Sequence, residues 1–148
     1  MKSLLGKLGV ILVVIGFTIS SYVEAWGVDW KFYDIGGTGT FWWYDTQGVT
    51  YYPNQVIQVW VKKVKVNEIL MMIKFGAQLT VSDIEQMTSE RGYERFLIEI
   101  DCVKKTYNYI QKLQYDTKGV LKSGILESDN RNIEPKHVEE TLYKIVCK

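Results

Sequence analysis

A single histidine and two cysteines leave little material for a metal centre. They cannot complete the four ligands of a structural zinc site without borrowed carboxylates, so no metal and no cofactor is expected. His137 is also the only imidazole available as a general base. It stands near Glu134 and Glu140 beside Pro135, a solvated helix-start setting with no nucleophile in view, and the chain reads as a non-enzyme with no catalytic residue. Proline-rich linkers, repeats and low-complexity tracts are absent, and Pro53 and Pro135 fall in short connections. The glycine-rich Gly36-Gly37-Thr38-Gly39 lacks the helix and the Lys-Ser/Thr pair of a phosphate loop, and a strand pattern follows it, so it reads as a hairpin turn. An excess of one charge is missing too. The 18 basic residues face 17 acidic ones, which argues against nucleic acid as a partner because that binding needs many phosphates neutralised.

What is present begins with a leader. Lys2 and Lys7 precede an uncharged apolar run from Leu8 to Val23, and Val23-Glu24-Ala25 gives a small-residue cleavage pattern, the three parts of a secretory signal peptide. The run is short of the roughly 20 apolar residues that span a bilayer and is diluted by Thr18, Ser20 and Ser21. Residues 1–25 therefore read as a cleaved signal and 26–148 as one exported domain with no membrane span. Cleavage removes Lys2, Lys7 and Glu24, leaving sixteen residues of each sign and a net charge of zero. No cysteine follows the apolar run for lipid attachment, so the expected address is the periplasm or the cell surface without an anchor. In an oxidising compartment, Cys102 and Cys147 have one obvious use, a single disulfide.

Most of the mature chain carries strand signals, with β-branched and aromatic residues in short runs between Gly or Asp turns. Strands are expected at Trp30–Ile35, Thr40–Asp45, Ile57–Val66, Tyr93–Cys102, Thr106–Tyr115 and Val120–Leu126. In the fourth, Phe96, Ile98, Ile100 and Cys102 alternate with Arg95, Glu99 and Asp101, so one face is apolar and the other charged. Short turns at Lys104-Lys105 and Asp116–Gly119 make the last three strands antiparallel. The Ser82-x-x-Glu85 spacing predicts a capping box and a helix to Glu90, and Asn67–Phe75 is a further helical stretch. Pro135 marks the start of a last helix whose stripe of Val138, Leu142, Ile145 and Val146 has a 3.6-residue period. Cys147 continues that stripe, and the bond to Cys102 would tie the helix to the inward face of the fourth strand. The fold class is α+β.

The same residues carry a family resemblance. In order come Phe41-Trp42-Trp43-Tyr44-Asp45, Val59-Trp60-Val61-Lys62 and Ile98-Glu99-Ile100-Asp101-Cys102. Tyr115-Asp116-x-x-Gly119-Val120-Leu121 follows, then Pro135 with Leu142-Tyr143-Lys144-x-Val146-Cys147. From Trp30 to Cys147 the chain resembles the bacterial surface-adhesin protein E family. The resemblance implies a curved antiparallel sheet of about six strands with a C-terminal helix fastened across it by the cysteine pair. It also implies a surface protein that binds host matrix and plasma proteins and can form a homodimer.

Ten aromatic residues crowd the 27 positions from Trp26 to Tyr52. Adjacent strand residues point to opposite faces, so Trp42 and Trp43 cannot both lie beneath one helix. Some rings are then expected on the surface, where aromatic patches mark binding sites. The candidate surface is Trp42, Trp43, Tyr44, Tyr51, Tyr52 and Trp60. Glu99 and Asp101 project from one strand face with Cα atoms roughly 6.5–7 Å apart, a spacing paired-carboxylate hydrolysis can use, but the flanking Arg95 and lysines favour a solvated face. The expected function is a non-enzymatic binding or adhesion-type domain of the bacterial envelope with an unidentified protein partner. The rivals are an assembly role, as a homodimer or envelope-complex subunit, and a periplasmic small-molecule binder or enzyme.

Overall fold

A computed structural model of the protein describes residues 28–148. The expected leader, its cleavage at Ala25 and Trp26 lie outside them. The described residues form eight strands: β1 (Trp30–Gly36), β2 (Thr40–Asp45), β3 (Thr50–Tyr52), β4 (Val56–Lys65), β5 (Tyr93–Asp101), β6 (Thr106–Tyr115), β7 (Leu121–Leu126) and β8 (Asn130–Asn132). Three helices join them, α1 (Ile69–Lys74), α2 (Val81–Ser89) and α3 (Val138–Val146). All strand pairs are antiparallel, in one open sheet ordered β1-β2-β4-β5-β6-β7. No helix among the described residues is long and apolar enough to cross a membrane.

The six expected strands are all there; β3 and β8 are additions. Both are three-residue ribbons sharing a long strand with another partner. β4 pairs with β2 over Val61–Lys65 and with β3 over Val56–Gln58. β6 likewise pairs with β7 over Gln111–Tyr115 and with β8 over Thr106–Asn108. Segments this short have too little period-2 pattern to be read from sequence. Register shifts in the β1–β2, β5–β6 and β6–β7 pairs are bulges, which add local bend and twist.

The expected turns form by one shared device. The Asp101 carboxylate accepts the amides of Val103 and Lys104 at 3.1 and 2.9 Å. Asp116 does the same for Lys118 and Val120, both at 2.9 Å. Asx turns of this kind replace the ladder where the chain reverses. Gly36–Gly39 is the hairpin turn between β1 and β2, closed by Gly39 N–H donating to Gly36 O at 3.0 Å, with Gly39 at φ 73°.

One side of the sheet packs beneath α3. Trp42, Tyr44, Ile57, Val59, Val61, Phe96, Ile98 and Ile100 meet Leu142 and Val146 there. The Cys102–Cys147 disulfide pins the helix end, and the Tyr143 hydroxyl donates to Cys102 O at 3.2 Å. At the other end of the helix, Thr141 Oγ1 donates to Asp34 Oδ2 at 2.7 Å and the Tyr109 hydroxyl to Glu139 Oε1 at 2.8 Å.

The opposite side has its own cover, so the rings that α3 cannot reach are not thereby left exposed. Phe41, Trp43, Val64 and Val66 pack with Ile69 of α1 and Ile84 of α2. The Met-rich insertion between β4 and β5 is thus a second lid. The cap of α2 also differs from the Ser82–Glu85 reading: Thr80 Oγ1 accepts from the Asp83 amide while the Asp83 carboxylate accepts from the Thr80 amide. The reciprocal bonds are those of a capping box, begun two residues earlier and closed by Asp.

Trp43 on one side and Leu142 on the other should therefore be equally structural. Trp43→Ala is expected to cost about 3–5 kcal/mol and Leu142→Ala about 2–5 kcal/mol in urea unfolding. The disulfide closes a 45-residue separation, and Cys102→Ser is expected to cost about 4 kcal/mol in the chain-entropy model.

Candidate functional site

The six aromatic residues expected to form one binding surface are split three ways. Trp42 is 8% exposed, Trp43 3% and Tyr44 9%; all three are core, so the free-surface reading of them is corrected. Two-sided covering is the cause: alternation along β2 sends Trp42 and Tyr44 under α3 and Trp43 under α1 and α2. Tyr51 and Tyr52 are exposed, at 69% and 46%. Trp60 is half-buried.

Trp60 lies on the Trp43 side of the sheet, beyond the reach of the α1–α2 lid. The strand register aligns it in a row with Leu97, Gln111 and Leu126 across β4, β5, β6 and β7. None of the four belongs to either core cluster. The row ends on Leu126, which is 82% exposed on the edge strand β7. Next to it, the Tyr52 hydroxyl donates to Gln58 Oε1 at 3.2 Å, and Gln58 Nε2 donates to Glu99 Oε2 at 2.9 Å. Glu99 is thus held by an amide, while Asp101 closes a turn.

The neighbouring row runs Phe32, Trp43, Lys62, Arg95, Leu113. Here cations lie against rings. Lys62 Nζ is 4.6 Å from the Trp43 ring centroid and 5.3 Å from that of Trp30. The Arg95 guanidinium is 5.0 Å from Trp60, 5.3 Å from Trp30 and 5.9 Å from Tyr115. Such contacts attract a cation to the ring quadrupole. Burial lowers the Lys62 pKa, Glu85 works the other way, and Arg95 lowers it further. Sequence reasoning did not single out Lys62 or Arg95 as site residues. The available signal was a cation at an alternating strand position directly across from an aromatic one.

A cavity of about 450 Å³ lies at the start of α3. Gly36, Gly37 and Thr38 of the hairpin turn line it together with Asp34, Lys63 and His137, bringing together two features that are far apart in sequence. His137 Nε2 is 3.5 Å from the Glu134 carboxylate, and both side chains are exposed. The turn has no following helix, and so no N-terminal amides to hold a phosphate. No group of three or more His, Cys, Asp or Glu suited to a metal occurs among the described residues.

Beneath α3 the phenols of Tyr33 and Tyr109 are held neutral. Burial raises the Tyr33 pKa well above its ordinary value, with Glu139 and Asp34 adding to it. Burial likewise raises that of Tyr109, helped by Glu139. Their folded pKa values exceed the unfolded ones, so their contribution is fully present below about pH 10 and is lost as pH rises above it. In an alkaline titration followed by phenolate absorbance, two of the ten tyrosines are expected to ionise only as the protein unfolds. Ionisation of Tyr33 and Tyr109 near pH 10 in the folded protein would contradict that burial.

No family model, curated protein or solved structure matches the chain.

Proposed function

We propose that this protein is an exported, non-enzymatic binding domain of the bacterial envelope, related to the surface-adhesin protein E family, that makes protein contacts through the bare half of its sheet. The observation that carries the reading is the row Trp60–Leu97–Gln111–Leu126, which joins neither helix-covered core cluster among the described residues and runs to the edge strand β7. An aromatic anchor beside aliphatic and amide groups is a common make-up for the centre of a protein interface. Tyr52 and Arg95 flank it, residue types that such surfaces favour. The contact surface is therefore Trp60 and Tyr52 with Leu97 and Leu126, rather than the whole aromatic run of β2; Tyr51 pairs with Ile57 and faces the α3 side.

Export is supported by the leader pattern in the first 25 residues and by the Cys102–Cys147 bond, since disulfides persist in oxidising compartments. Periplasm and unanchored cell surface both fit these features.

A second reading, self-assembly, is favoured by β7. Its outer side pairs with no strand among the described residues, and Leu121, Ile125 and Leu126 are exposed along it. Unpaired apolar edges are templates for strand addition. One experiment separates the readings. A photo-crosslinking amino acid placed at position 60 or 126 in cells producing the protein is expected to give a discrete adduct with a second protein, and none at position 136. An adduct of twice the chain mass would favour self-assembly. Absence of any adduct at 60 and 126 would sink both.

A further inference from the structure

The cleft between α2 and the sheet contains cations that the fold leaves unanswered. Its walls include Trp30 and Trp43 from the first hairpin, Lys62 from β4, Glu85 from α2, Arg91 before β5 and Lys118 from the β6–β7 turn. Together with their neighbours these enclose about 520 Å³, a volume suited to one small molecule.

Three of these six side chains are cationic and one is a carboxylate. Arg91 already pairs with Glu68 at 3.0 Å. Lys62 and Lys118 have no carboxylate within 4 Å among the described residues. A purely structural Lys62 would be expected to reach Glu85, the one carboxylate lining the cleft, and it does not. Its ammonium lies against two indole faces instead, which attract charge without supplying a hydrogen-bond acceptor. Beside the cleft, Arg95 shares the Trp30 ring with Lys62. Its Nε is buried with no hydrogen-bond partner, a rare condition for a charged donor. A half-buried ammonium at Lys62, a second at the exposed Lys118 and the indole of Trp30 line one cavity, a set that suits negative charge carried on a compact body.

We propose that this cleft binds a small organic anion, with its carboxylate or phosphate group taken by Lys62 and Lys118 and its ring stacked on Trp30. Trp60, Leu97, Gln111 and Leu126 do not line the cleft, so substitution of Lys118 tests the anion site and crosslinking at 60 and 126 tests the bare row. Glu85 gives it selectivity: a hydroxyl on the ligand would find an acceptor there, while a second anionic group would be repelled.

The test is an NMR titration of the folded protein with glucuronate, benzoate and inorganic phosphate, using glucose and benzamide as neutral counterparts. At least one anion is expected to move the indole N–H signals of Trp30 and Trp43 saturably, with no such change from the neutral compounds. Lys118→Ala, an exposed turn substitution, should weaken that binding roughly tenfold, the scale of one charge-assisted hydrogen bond, and Lys62→Met should weaken it at least as much. Lys136→Ala, at the other cavity, should leave it unchanged. No saturable shift from any of the three anions, or an affinity unaltered by Lys118→Ala, overturns the proposal.

Discussion

Side chains on a strand alternate between two faces, and β2 carries large apolar residues at every position from Phe41 to Tyr44. A strand of that composition cannot sit in a sheet with one wet side. The rest of the molecule follows from supplying each face with a lid. α3 closes one face and is fixed by a disulfide and by hydrogen bonds from Thr141 and Tyr109. The β4–β5 insertion folds back as α1 and α2 to close the other. Fully exposed, the indoles of Trp42 and Trp43 would each leave on the order of 200 Å² of surface in water. Neither lid is dispensable.

The second lid is shorter than the sheet it covers. It reaches Trp43 and Val64 but not Trp60 or Leu97, so the same face is a core at one end and a surface at the other. At the boundary lie Lys62 and Arg95, whose hydrocarbon stems can cover apolar surface while their charges rest against rings. That boundary also creates the α2 cleft. Candidate binding features thus collect where the covering of the sheet ends, on a scaffold whose strands β5 and β6 are the most fully paired.

Much of this fold was legible in the sequence. Alternation in β5 located its core face through Phe96, Ile98 and Ile100, and the 3.6-residue stripe with Cys147 placed α3 and its tether. Both signals are local periodicities that packing reinforces. The site was less legible. Trp42 and Trp43 were correctly sent to opposite faces, but the exposure of one of them does not follow from alternation. It depends on whether a distant segment returns to cover that face. The Met-rich stretch had helical character, yet its docking on Phe41 and Trp43 is a contact between positions more than twenty residues apart, which no local pattern encodes. The row from Trp60 to Leu126 depends on three strand registers and the bulge between Leu97 and Ile98, so one slipped residue would have dissolved it.

Two lids of unequal reach on one sheet predict three different environments for three tryptophans in a single folded molecule. Fluorine NMR of protein labelled with fluorotryptophan, comparing shifts in light and heavy water, reads that directly. Trp42 and Trp43 are expected to show little solvent isotope shift and Trp60 a clear one. A solvent response at Trp42 or Trp43 as large as that at Trp60 would mean that one lid is not seated, and would contradict the account.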